Sequence, residues 1–103
     1  MDSLFTLSGK TILVTGASSG IGKATAILCA KMGATVILIA RNEERLNQVK
    51  SMLEGSNHMC KIVDLTNYDN IESLVESLPI IDGVVNSAGI NNKCLIKYVD
   101  GVE

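Results

Sequence analysis

Eight consecutive residues, Thr15-Gly16-Ala17-Ser18-Ser19-Gly20-Ile21-Gly22, have the types and spacing to hold an anion. Gly16 can turn the backbone tightly with φ above zero, Gly20 places no Cβ in the way of an approaching diphosphate, and Gly22 lets a following helix lie close to the preceding strand. A helix opening there aims its unpaired N–H groups and the positive end of its dipole at the same point. Ser18 and Ser19 add hydroxyls, which in such a turn bind phosphate oxygens more readily than they attack a substrate. Three spaced glycines alone are a weak signal. An apolar strand before them, a helix beginning at Ile21 and a second strand running up to Arg41 make the segment a phosphate-binding turn.

Arg41 stands about 20 residues past that turn, where dinucleotide folds choose between ribose hydroxyls and a ribose phosphate. An acidic side chain there would accept from the hydroxyls. A guanidinium instead pairs with the phosphate through two charge-assisted hydrogen bonds, so Arg41 favours NADP(H) over NAD(H). The competing reading is an exposed arginine ahead of a helix cap, and Glu43 and Glu44 temper the preference. Asp64 has two readings as well. Its carboxylate can accept from an adenine amino group while the Leu65 main-chain N–H serves a ring nitrogen, or it only shapes a turn before Thr66. Asn86-Ser87-Ala88-Gly89 supplies small residues where a planar ring can come close, and an amide at Asn86 that can tie neighbouring strands; by itself the tetrapeptide is also an ordinary turn.

No catalytic constellation accompanies these groups. His58, the only histidine, has no partner by spacing and reads as a solvated surface residue. Cys29, Cys60 and Cys94 are odd in number and lack close metal-ligand or redox spacing, so Cys29 and Cys60 read as small core residues and no metal site is expected.

The elements that must position these residues alternate. Thr11–Thr15 is a short apolar run rich in β-branched residues and reads as a buried first strand. Ile21, Ala24, Leu28 and Met32 recur at helical spacing and mark the core stripe of a first helix, with Gly33 placed to end it. Thr35–Ala40 is apolar on both faces and requires a central position. Asn42 caps a second helix whose stripe is Leu46, Val49 and Leu53 and whose end lies near Gly55. Met59–Val63 is a less apolar third strand, expected at an edge. Thr66 is expected to cap a third helix carrying Ile71, Leu74, Val75 and Leu78 until Pro79 stops it, and Gly83–Asn86 forms a fourth strand. Right-handed crossovers put the strands in the order 3-2-1-4 and leave the apolar fourth strand at an edge, as in half of a larger sheet.

Length and charge narrow the function classes. The 103 residues make at most one domain, and 9 basic against 11 acidic residues, with no basic block, suggest neither nucleic acid nor an anionic membrane as partner. Apolar residues are 47% of the chain but fall in runs far short of the roughly twenty that cross a bilayer. The opening Met1–Thr6 lacks the basic start and apolar stretch of a secretory signal, so the cytosol is the expected compartment.

Together these segments resemble the short-chain dehydrogenase/reductase family. Thr15–Gly22 matches its glycine motif, Asp64-Leu65 its adenine contact, and Asn86–Gly89 its Asn-Asn-Ala-Gly motif, with Ser87 where a second asparagine is usual. The resemblance implies a Rossmann-type α/β fold, a parallel sheet with flanking helices, present here in part. It assigns cofactor contacts to Gly16, Ser18, Ser19, Gly20, Ile21, Gly22, Arg41, Asp64, Leu65, Asn86, Ala88 and Gly89, and NADP(H) as the cofactor with NAD(H) second. It also implies that residues 1–103 correspond to the N-terminal dinucleotide-binding part of a longer domain, before the catalytic half. Family members transfer hydride between nicotinamide and a carbonyl or alcohol, as the 3-oxoacyl-acyl-carrier-protein reductases do, using a tyrosine with a lysine four positions later. Here Tyr68 is followed by Glu72 and Tyr98 by Val102. The chain alone is therefore expected to be inactive. A homo-oligomer belongs to a full-length form, because the family's interface helices fall after Glu103. Two other readings stay open: a nucleotide-binding or regulatory module completed by a partner, and a non-functional remnant.

Overall fold

The computed structural model describes residues 6–18, 20–64 and 66–86, with Tyr68 by its main chain only. The elements run β1 (Thr11–Thr15), α1 (Gly20–Lys31), β2 (Thr35–Ala40), α2 (Glu43–Ser51), β3 (Met59–Ile62), α3 (Tyr68–Ser77) and β4 (Gly83–Asn86). All strand pairs are parallel, in the order β3-β2-β1-β4. The expected topology is therefore the observed one.

Strand periodicity sorts the core into two layers. Ile12, Val14, Val36, Leu38 and Ala40 point to one face, where α1 contributes Ala26, Cys29 and Ala30 and α2 contributes Leu46 and Val49. Leu13, Ile37 and Ile39 point to the other, against Ile71 and Leu74 of α3. The chain steps from β1 outward through β2 to β3 and then returns past β1 to β4. Right-handed crossovers in opposite directions put their helices on opposite faces, hence α1 and α2 on one and α3 on the other. Leu13, Ile37, Leu38 and Ile39 are fully buried, each stabilising the fold by about 1.5–3 kcal/mol.

Several local expectations need correction. The stripe Ile21, Ala24, Leu28 and Met32 is not the core face of α1: Ile21 is 77% exposed and Leu28 55% exposed. Gly22, Ala26, Cys29 and Ala30 face the sheet instead. Because β1 and β2 already present large aliphatic side chains, a helix of small residues can approach them closely, and its larger residues turn outward. α2 stops at Ser51, before Gly55, although Leu53 remains buried. β3 ends at Ile62, with the Val63 N–H still donating to the Ala40 carbonyl at 3.0 Å. Thr66 does not cap α3; Asn67 does, its side chain accepting from the Asp69 N–H at 2.9 Å.

His58 is 8% exposed and is not a solvated surface residue. Its Nδ1 accepts from the Val36 N–H at 3.0 Å, so Nε2 carries the proton and donates to the Glu54 carbonyl at 2.7 Å. The ring thereby bonds one main-chain group of β2 and one of the α2–β3 connection. The other predicted boundaries are found where the residues place them. Asn42 caps α2 by accepting from the Arg45 N–H at 2.9 Å, and Leu78 ends α3 in an extended conformation ahead of Pro79. Gly33 follows α1 at φ 101°, where a Cβ would also meet Ser8 at 3.2 Å.

Candidate functional site

Strand ends create the site. In a parallel sheet every strand delivers its carboxyl end to the same edge, so the residues after β1, β2, β3 and β4 converge there. Thr15 is paired in register with Ile39 and Asn86, and Ala40 with Ile62. The sheet thereby gathers the glycine turn, Arg41, Asp64 and Asn86, four groups far apart in sequence.

Gly16 leaves β1 at φ 63° and Gly20 opens α1 at φ 58°, both in the left-handed region that side chains disfavour. Sequence reasoning foresaw the first but gave Gly20 only a steric role. Nothing lies within 4 Å of the point where a Gly20 Cβ would stand, so no packing against other segments requires glycine there and the backbone conformation does. Gly22 is buried against the sheet, as its spacing predicted. The Ala17 N–H donates to the Ile39 carbonyl at 3.2 Å, bracing the turn on β2. Ser18 is partly buried beside it, and Ile21 projects outward from the first turn of α1. The first N–H groups of a helix have no intrahelical partner, and with the dipole they give this end the polarity that suits a phosphate.

Arg41 follows β2 directly and is exposed, held between the strand end and the Asn42 cap. Asp64 follows β3. Its Oδ1 accepts from the Thr66 hydroxyl at 2.6 Å and from the Thr66 N–H at 3.0 Å. These bonds, the hydroxyl's first, hold the carboxyl below its ordinary range; partial burial opposes them, and the Arg41 charge adds to the lowering. Asp64 thus does shape the turn before α3, and it remains an ionised acceptor at the carboxyl edge of the sheet. Sequence reasoning took Thr66 for a helix cap; the Asp-x-Thr spacing is the signal that could have revealed this turn. Asp64 also borders a cleft of about 310 Å³ shared with Lys61, Asn70, Ser73 and Leu74, which the glycine turn and Arg41 do not line.

At the far side of the turn, the Thr15 hydroxyl donates to Asn86 Oδ1 at 2.9 Å, the cross-strand tie expected of the Asn86 amide. The same strand pair is pinned at its start, where the Thr11 N–H donates to the Asp82 carboxylate at 2.8 Å. Ser19, Leu65, Ala88 and Gly89, with Ser87, Cys94 and Tyr98, lie outside the described residues. Among the described residues no group of His, Cys, Asp and Glu could hold a metal ion, and no helix is long and apolar enough to cross a membrane. Cys29 is buried and Cys60 half-buried in the α1–α2 layer. Burial pushes both thiols up, which makes them poor nucleophiles.

The family model described as short chain dehydrogenase matches residues 10–101. The chain belongs to the short-chain dehydrogenase family. It is 40% identical over 89 residues to 3-oxoacyl-acyl-carrier-protein reductase FabG of Rickettsia felis, an alignment covering 86% of this chain and 36% of that protein. It is 38% identical over 92 residues to the NADPH-dependent pterin aldehyde reductase of Arabidopsis thaliana, covering 84% of this chain and 38% of that one. This short-chain dehydrogenase chain thus spans little more than a third of the length of these curated relatives. The oxidoreductase yciK from Escherichia coli superposes with a TM-score of 0.79 at 30% identity, over 96% of this chain and 54% of its own. A short chain dehydrogenase from Escherichia coli CFT073, crystallised with NADPH, superposes with a TM-score of 0.77 at 39% identity, over 86% of this chain and 41% of its own.

Proposed function

We propose that residues 1–103 are the N-terminal, NADP(H)-binding portion of a short-chain oxidoreductase that transfers hydride between nicotinamide and a carbonyl or alcohol substrate. The observation that carries this reading is the glycine turn at the α1 N-terminus, with Gly16 and Gly20 both at positive φ, at the same sheet edge as the cation Arg41 that follows β2. In this reading the main-chain N–H groups at the α1 N-terminus, at Gly20, Ile21 and Gly22, bind the diphosphate, with Gly16 shaping the turn and Ser18 and Ser19 adding hydroxyls. Arg41 pairs with the 2′-phosphate. Asp64 and Leu65 contact the adenine, while Asn86, Ala88 and Gly89 line the sugar and ring beyond β4. When bound, the coenzyme supplies the hydride.

The similar proteins are named as reductases of a 3-oxoacyl group and of a pterin aldehyde, which supports ketone or aldehyde reduction as the overall chemistry. The proton delivered to the substrate oxygen needs an acid outside this segment. Neither Tyr68 nor Tyr98 has a lysine four positions on, and a hydroxyl of ordinary pKa near 10 donates poorly at neutral pH without a cation to tune it. Cys29 and Cys60, free thiols among the described residues, support the cytosol as the compartment.

Arg41→Ala tests the coenzyme assignment. Loss of a bidentate, charge-assisted contact costs about 1.5–3 kcal/mol, so NADPH should bind roughly ten- to a hundredfold more weakly while NADH changes little. Calorimetric titration of both coenzymes measures this, and equal weakening of the two would refute the role given to Arg41.

A further inference from the structure

We propose that Thr66 is a positioning residue for coenzyme recognition, holding one oxygen of Asp64 so that the other is left to accept from a purine amino group. This rests on the reading above that the strand ends bind the adenine end of a dinucleotide.

The main chain around Asp64 is already fixed. On one side the Val63 N–H donates to the Ala40 carbonyl at 3.0 Å. On the other, the Asp64 carbonyl accepts from the Asn67 N–H at 3.3 Å and from the Asn70 side-chain amide at 3.2 Å. What remains free is the rotation of the carboxylate, and Thr66 removes it. Both Thr66 donors fall on the same oxygen, Oδ1, at 2.6 and 3.0 Å. Among the described residues none donates to Oδ2. A turn needs only the N–H; the hydroxyl adds a second bond to the same oxygen and thereby sets the direction of its partner.

An ionised carboxylate is acceptor-only. The oriented oxygen therefore accepts an amino group and rejects an oxo group, whose lone pairs would oppose its own. Adenine carries an amino group where hypoxanthine carries an oxygen, so the pair Asp64–Thr66 should discriminate between the two bases. Replacing Asp64 by Asn should invert the choice. The two Thr66 donors would draw the amide oxygen to themselves and leave the NH₂ group in the position of Oδ2, as a donor to the oxo group.

The test is calorimetric titration of the 103-residue chain with NADPH and with its hypoxanthine analogue. The wild type should prefer NADPH by about tenfold or more, the effect of one hydrogen bond to a charged group. Thr66→Val should reduce that preference to within about threefold, Thr66→Ser should restore it, and Asp64→Asn should favour the analogue. Should Thr66→Val fail to fold by circular dichroism, Asp64→Asn carries the test, and its inversion should vanish in the double variant with Thr66→Ala. Undiminished preference in Thr66→Val, or no inversion in Asp64→Asn, overturns the positioning role while leaving NADPH binding in place. A wild type that binds neither compound overturns the coenzyme site and this proposal with it.

Discussion

In the proposed site Gly20 serves conformation and ligand at once. At φ 58° a side chain is strained by about 1–2 kcal/mol, and in the proposed site it would also stand where the diphosphate approaches. Gly20→Val should therefore be moderately destabilised and should lose binding of NADPH and NADH alike. Thermal unfolding and calorimetry together check this: normal binding by Gly20→Val would show that the diphosphate does not approach there. Arg41 acts differently. It lies outside the packed core, so its replacement should change coenzyme choice with little effect on stability. The sequence made both residues visible because glycine spacing and the absence of an acidic residue after β2 are local facts. Thr66 was misread because the Asn67 cap and the Asp64 turn compete for the same short segment, and threonine suits either.

For a helix, the face that matters is decided by what it packs against. In α1 the apolar residues Ile21, Ala24 and Leu28 follow the helical period as well as Gly22, Ala26, Cys29 and Ala30 do. Periodicity favours the larger set, but the sheet selects the smaller one. Ala26→Leu should accordingly destabilise the chain by about 1–3 kcal/mol through overpacking. Leu28→Ala should stay within about 0.5 kcal/mol, as at other exposed positions. Urea unfolding of the two variants distinguishes the faces, and the reverse order would restore the stripe that the sequence suggested. In α3 the two criteria agree, and Ile71 and Leu74 are buried as their spacing requires.

At the scale of the whole molecule, His58 acts as a constraint between separate elements. It joins the start of β2 to the connection between α2 and β3, through Val36 and Glu54. His58→Ala should leave a buried N–H without a partner and cost about 1–3 kcal/mol, measured as a lower urea midpoint with an unchanged slope. A stability equal to wild type would mean that water replaces the ring. Spacing could not announce this role, because the donor that His58 serves is 22 residues away. The strand order, by contrast, was legible in advance. Alternating short strands and helices with right-handed crossovers leave few arrangements, and β3-β2-β1-β4 is the one adopted.

The sequence by itself determined the class of fold, the order of the strands and the glycine turn between β1 and α1, since each depends on local pattern: β-branched runs, glycine spacing and chain handedness. Only the tertiary structure decided which face of α1 is inside, that His58 is buried and bonded at both nitrogens, and that Thr66 serves Asp64. Those outcomes depend on volumes and hydrogen-bond partners brought together from distant segments, which no stretch of the chain contains alone.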